Sequence, residues 1–207
     1  MAPETRPATH DEIPAVAAVL AEAFESDPVM AAMLPDPVTR TRRLGRLFAT
    51  EVRHHHFAGG GVDIAVDGDG TIGGAAVWDP PGRWRQSAWA GWRMLPQHIH
   101  ALGARAVAGA RIDRAFERAH PAEPHWYLSM IGTAGAARGG GFGKALLTSR
   151  LAVADGEGMP AYLESSNIAN VPYYERFGFA PHGEIDVVPA RNGKPAVVAY
   201  AMWRDPR

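Results

Sequence analysis

Residues 138–144 read R-G-G-G-F-G-K, set between a stretch with strand alternation, W-Y-L-S-M-I-G-T, and one with helical character, A-L-L-T-S-R-L-A-V-A. Glycine loses more conformational freedom on folding than any other residue, so a run of it at a strand-to-helix turn is costly unless the bare backbone has a task. The order strand, glycine turn, helix also commits this part of the chain to a sheet with a helix laid on it. Taken alone, the glycines fit a flexible surface loop or a set of main-chain donors that receives an anion.

Spacing separates three phosphate-binding templates. A nucleotide-triphosphate loop needs glycine, four residues, then Gly-Lys-Ser/Thr. Counting back from Gly143-Lys144 lands on Arg138, and Ala145 follows, so both ends fail. The dinucleotide pattern G-x-G-x-x-G also fails, because Gly139 and Gly141 are followed by Lys144, and Gly141 and Gly143 by Leu146. The pattern Arg/Gln-x-x-Gly-x-Gly/Ala is met by Arg138, Gly141 and Gly143. Successive N–H groups in such a turn form a concave donor nest, the following helix adds the positive end of its dipole, and a pyrophosphate is the natural guest.

The rest of the chain reads as one domain, residues 1–207, with no repeat or linker to divide it. Ile13, Val16, Val19, Leu20 and Phe24 lie at helical spacing, with Thr9 or Asp11 as cap and Pro14 in the first turn. Asp27-Pro28 and Pro35-Asp36-Pro37 break the chain before a second helix from Val38 through His55, which turns Leu44, Leu47, Phe48 and Val52 inward. G-V-D-I-A-V and T-I-G-G-A-A-V-W flank the turn D-G-D-G as a β-hairpin. Residues 84–119 are read as largely helical, carrying Trp84, Trp89, Trp92 and Met94, with a break at Pro96. After the glycine turn come a helix over 142–156 with Leu146, Leu147, Leu151 and Val153 to pack, the strand A-Y-L-E-S, and a short helix V-P-Y-Y-E-R-F stopped by Gly178. Two strands joined through R-N-G-K close the chain. This order predicts an α/β (α+β) mixed sheet flanked by helices.

A formal net charge of −1 gives no electrostatic reason to expect nucleic acid or membrane as partner. The absence of cysteine excludes disulfides, thiolate zinc sites and cysteine nucleophiles. The N-terminus lacks the pattern of a signal peptide, and a cytoplasmic protein is expected. Neighbours at i and i+1 on a helix point apart, and no carboxylate at metal spacing accompanies His54-His55-His56 or His98-Ile99-His100. These are expected to be solvated helix surface, with no metal.

The strand before Arg138, the loop, and Y-L-E-S-S-N-I-A-N-V-P-Y-Y-E-R-F-G-F together resemble the GCN5-related N-acetyltransferase (GNAT) family, nearest to its puromycin-acetylating members. The similarity is close over residues 125–180 and looser in A-E-A-F-E-S-D-P-V-M-A-A-M-L-P-D and W-D-P-P-G. The resemblance implies a mostly antiparallel central sheet whose splayed strands form an acetyl-CoA cleft. It also implies direct transfer of acetyl from acetyl-CoA to an amine in a ternary complex. On that reading Ile131, Gly132 and Thr133 occupy the irregular strand that holds the pantetheine arm, Gly132 suiting a bulge or a close backbone approach. Arg138, Gly139, Gly140, Gly141, Gly143 and Lys144 line the pyrophosphate, and Phe142 packs into the core. Asn167 and Asn170 reach the cofactor, Asn170 also serving as N-cap of the short helix. Tyr174 is expected to protonate the departing sulfur, with Tyr173 as packing. Glu164 is the first candidate base, Asp27 the second and the histidine run the third. Where many members have Val-x-Pro before the loop, this chain has Thr133-Ala134-Gly135, a looser turn with its donors intact.

The implied acceptor is a primary amine on a small molecule, of antibiotic or aminoacyl-nucleoside type, selected by residues 25–33 and 84–120, in a monomer or homodimer. Acetylation of a protein amine, or an inactive acyl-CoA-binding module, remain as alternatives.

Overall fold

The computed structural model describes residues 2–85, 88–190, 193 and 195–207, and the side chains of residues 86–90 are outside that description. Trp89, as a side chain, and most of the R-N-G-K connection therefore lie outside the described residues.

Seven strands, β1 (Glu4–Pro7), β2 (Val62–Val66), β3 (Ile72–Asp79), β4 (Trp126–Thr133), β5 (Ala161–Ser165), β6 (Ala180–Val188) and β7 (Val197–Arg204), form one sheet in the order β1-β2-β3-β4-β5-β7-β6. Every neighbouring pair is antiparallel except β4 with β5, which run parallel as the intervening helix requires. The expected mixed, mostly antiparallel sheet flanked by helices is the fold observed.

Seven α-helices cover it: α1 (Ile13–Ala23), α2 (Pro28–Met33), α3 (Pro37–Glu51), α4 (Ala88–Leu102), α5 (Ala106–Ala119), α6 (Phe142–Gly156) and α7 (Val171–Glu175). One face of the sheet packs Leu20, Leu44, Phe48 and Ile112 from the first five helices against Ile64, Val77 and Met130. The other face packs Leu146, Leu147, Leu151 and Tyr174 from α6 and α7 against Trp78, Leu128 and Leu163. Full burial of each such side chain contributes about 1.5–3 kcal/mol.

Three features depart from the sequence reading. The prolines taken as breaks are helix starts: Pro28 and Pro37 stand in first turns whose caps are Asp27, accepting from the Met30 N–H at 2.9 Å, and Asp36, accepting from the Val38 N–H at 3.1 Å. Proline's missing N–H costs nothing there, so α2 forms where a loop was expected. Pro96 lies inside α4 without ending it. Val153, expected to pack, is 43% exposed, because the buried stripe of α6 runs through Leu147, Leu151 and Ala154.

Candidate active site

β4 and β5 share rungs only at Trp126–Ala161, Tyr127–Tyr162 and Leu128–Leu163, and Ser129 through Thr133 have no rung to β5. The divergence begins at a bulge. Trp78 pairs with Leu128 and Val77 with Met130, which leaves Ser129 as the extra residue. The irregularity expected at Ile131, Gly132 and Thr133 is therefore three residues or so earlier in β4. Of the two roles expected of Gly132 the close approach is the one observed: a Cβ there would lie 2.6 Å from the Ala23 Cβ, so its small size lets α1 lie against the strand.

The gap between the strands holds a chamber of about 130 Å³ whose lining includes Asp27, Ser129, Ile131, Glu164, Asn167, Asn170 and Tyr174. Gly132 and Thr133 do not line it. α7 delivers Tyr174, which is 8% exposed and meets Phe179 and Tyr173 edge-on. Burial pushes its phenol well above the ordinary value, and Tyr173 and Asp27 add to the shift. Such a group stays protonated at neutral pH and can donate to a departing thiolate.

Glu164 enters from β5. Its Oε2 accepts the Tyr127 hydroxyl at 2.6 Å, while Oε1 faces the His120 Nδ1 at 3.6 Å, and both the Glu164 and His120 side chains are buried. Asp27, besides capping α2, accepts the Ser166 hydroxyl, and burial pushes its carboxyl up. Asn167, not Asn170, makes the local cap: its side chain accepts from the Ala169 N–H at 3.0 Å. Asn170 precedes α7 in a helical conformation with no capping bond, so the expected capping role passes to Asn167.

At the far end of β4 the glycine turn has the geometry its sequence requires. Gly139 and Gly141 take φ of 78° and 85°, a region disfavoured for any residue with a Cβ. Gly141 caps α6, whose first bond runs from the Ala145 N–H to the Gly141 carbonyl at 2.9 Å, so the amides of the turn before it are free of that ladder. Gly140 and Gly143 are tight as well, with positions for a Cβ 3.0 Å from the Ala137 carbonyl oxygen and 3.1 Å from the Tyr173 hydroxyl. Phe142 is buried in the second core as expected, and Arg138 and Lys144 are exposed beside the turn. Tyr173 packs between Phe177, at 5.1 Å, and the Arg176 guanidinium, at 4.9 Å.

A second chamber of about 380 Å³ adjoins the first, the two sharing Phe24, Asp27, Ser129, Met130, Glu164 and Ser166. Met30, Met33, Leu47, Phe48, Ile112 and Phe116 form apolar walls on α2, α3 and α5. Carboxylates from Asp27, Glu51, Asp79, Asp113, Glu117 and Glu164 line it against the guanidinium of Arg85.

The histidines depart most from expectation. Residues Val52–His56 form a π-helical turn continuing α3, and the His55 and His56 rings stand 4.5 Å apart instead of diverging. His56 Nδ1 lies 2.7 Å from Asp79 Oδ1, and His55 Nε2 donates to the Trp84 carbonyl at 3.1 Å. Donor atoms of His55, His56 and Asp79 all lie within 4.8 Å of one another, a set of the kind that can hold a cation. His98 pairs with Glu51 at 2.6 Å. His55, His56 and His98, expected on solvated surface, thus line the large chamber with carboxylates the sequence spacing hid, whereas His54 is outside that lining and His100 is exposed. Ser129, Ser166, Tyr127 and His120 were also missed. Only the strand alternation of W-Y-L-S pointed to any of them.

A profile of the acetyltransferase (GNAT) family matches residues 50–179, and the chain belongs to that family. The crystal structure of histone acetyltransferase HPA2 and related acetyltransferase from Corynebacterium glutamicum superposes with a TM-score of 0.76. It is 31% identical over 100% of this chain and 98% of that one. An uncharacterized N-acetyltransferase of Schizosaccharomyces pombe is 43% identical over 54 residues, 26% of this chain and 22% of that protein. Mycothiol acetyltransferase of Streptomyces avermitilis is 36% identical over 77 residues, 36% of this chain and 25% of that protein. The matched stretch thus spans about a quarter of the length of these curated relatives.

Proposed function

We propose that the protein transfers acetyl from acetyl-CoA directly to a primary amine of a small molecule. The observation that carries this reading is that the two chambers adjoin and share Asp27, Ser129, Glu164 and Ser166, and the proposed opening between them lies at these residues. The pyrophosphate lies on the turn of Gly139, Gly140, Gly141 and Gly143 beside Arg138 and Lys144. The pantetheine arm runs along Ile131, Gly132 and Thr133 into the small chamber past Asn167 and Asn170. Its thioester then reaches the opening from one side and the amine from the other. Glu164 accepts the proton the ammonium must lose, with Asp27 as second candidate. Tyr174 donates to the sulfur as the C–S bond breaks. Carboxylates around a chamber of about 380 Å³ favour a cationic acceptor of small-molecule size. The aminoacyl-nucleoside or antibiotic-like acceptor is a narrower form of this reading, supported by the aromatic walls at Phe24, Phe48 and Phe116.

Calorimetry with acetyl-CoA, followed by thiol release with phenethylamine, tryptamine, 1,4-diaminobutane and a histone-tail peptide, tests it. Turnover on a small amine supports the proposal. Binding with no turnover on any of them marks an inactive acyl-CoA-binding module, and turnover on the peptide alone moves the acceptor to protein, as the name of the Corynebacterium relative would have it.

A further inference from the structure

His120 lies at the end of α5, outside every motif of the sequence, yet its side chain is 2% exposed beside a Glu164 side chain that is 3% exposed. Trp84 stacks on its ring at 3.7 Å, and Tyr127 and Tyr162 meet it edge-on at 4.7 and 5.1 Å. Two contacts and the burial of His125 then fix where its protons sit. His125 Nδ1 lies 2.6 Å from the Glu123 carbonyl, which can only accept, so that nitrogen carries hydrogen. Burial pushes the His125 imidazole down, so it is neutral and its Nε2 is a bare acceptor. That Nε2 lies 3.0 Å from His120 Nε2, which must therefore be the donor.

One nitrogen of His120 is left, Nδ1, pointing at Glu164 Oε1 from 3.6 Å. That oxygen and the Tyr162 hydroxyl are both buried with no partner at hydrogen-bond distance, although the Tyr162 and Glu164 side chains interact, and the Tyr127 hydroxyl is spent on Oε2. A bare imidazole nitrogen and a carboxylate oxygen both accept, so the pair has a vacancy for one proton and gains a hydrogen bond when it is filled. Leaving two buried acceptors face to face is costly, on the scale of any unsatisfied buried polar atom.

We infer that His120 and Glu164 act as one proton acceptor, with His125 and the Glu123 carbonyl as positioning groups that hold His120 in the tautomer able to receive. The inference rests on the amine-transfer reading above. The balance is as follows. The acceptor's ammonium gives one proton to the pair. The amine nitrogen bonds to the thioester carbon, and the C–S bond breaks. Sulfur takes the Tyr174 hydroxyl proton, and the proton lost as the amide forms restores that hydroxyl. The proton on the pair is the one the overall reaction releases to water.

The titratable and charged groups facing the pair are His125, Tyr127 and Tyr162, with Asp79 close to Tyr127, Glu117 and Arg85 on the shared chamber wall, and Glu123 through its backbone. The decisive test is nitrogen NMR of the histidine-labelled protein without substrate. In the substrate-free protein His120 should carry its hydrogen at Nε2, with a bare Nδ1 whose nitrogen shift moves when Glu164→Gln places an amide donor opposite it. A hydrogen on Nδ1, or an Nδ1 shift indifferent to Glu164→Gln, overturns the assignment.

The kinetic arm uses His120→Gln, with His120→Asn as a second variant in case the first melts early, on the same three small amines. The expected loss in kcat/KM is about a hundredfold at pH 7, shrinking as pH rises toward the amine's own pKa, with acetyl-CoA affinity unchanged. A loss that is uniform across pH means His120 only props the chamber, and it overturns the inference. The nitrogen shifts are read without an acceptor, so they decide the His120 assignment independently of the amine panel, which decides the reading on which it rests.

Discussion

Tyr174 and His98 titrate in opposite settings, and each sets a measurable consequence. The Tyr174 phenol is raised by burial, so its acid form persists beyond the ordinary tyrosine value near ~10. Tyr174→Phe should lower kcat by about 10² to 10⁴ with acetyl-CoA affinity within about twofold, measured by single-turnover kinetics and calorimetry. The wild-type kcat should show no alkaline loss from this group up to about pH 10, and a limb near the ordinary thiol range would assign the acid elsewhere. His98 is raised by its hydrogen bond to Glu51, and burial, the largest influence on Glu51 and one that raises it, is outweighed by that bond together with the charges of His98, His56 and His55. Because the folded pKa of His98 exceeds the unfolded one, its stabilising contribution is complete below about pH 6.5 and is lost as pH rises through the folded value. Thermal melts of His98→Gln should therefore be less stable than wild type at pH 6 and converge with it at pH 9.

At the scale of elements, the strand–glycine turn–helix unit was legible because its chemistry is local. Arg138, Gly141 and Gly143 sit at fixed offsets, and positive φ at Gly139 and Gly141 is a demand that sequence states directly. Gly141→Val should weaken acetyl-CoA binding at least tenfold in calorimetry, whereas the exposed Val38→Ala should leave it unchanged. Tyr174 was singled out by the resemblance instead, which places a tyrosine four residues ahead of Gly178. What failed to show were properties set by partners distant in sequence. The bulge at Ser129 exists only in register with Val77 and Trp78, and β1 only by pairing with β2. The π-helical turn at Val52–His56 defeated the rule that adjacent helical residues diverge, and the carboxylate its histidines meet, Asp79, comes from β3, while His98 of α4 meets Glu51 at the end of α3. His120 reaches Glu164 across 44 residues of chain, with no periodicity to announce it. Gly132→Val tests the close approach of α1: with the Ala23 Cβ 2.6 Å from the added Cβ, α1 must shift, and a loss of about 1–3 kcal/mol is expected in denaturant melts.

For the whole molecule, the two cores lie on opposite faces of one sheet that is joined at its middle by only three rungs. Hydrogen exchange should show the amides of Ser129 to Thr133 less protected than those of Trp126 to Leu128, and acetyl-CoA should slow them selectively. A sheet left open at its centre also means that its co-substrate, on the proposed reading, is a structural member of the folded chain. A ligand that bridges β4 and β5 binds the native state alone and adds about 2.7 kcal/mol at a hundredfold excess over its Kd. The melting temperature, and with it resistance to proteases, then tracks how much acetyl-CoA surrounds the protein, so that a cell short of acetyl groups would also be short of this acetyltransferase.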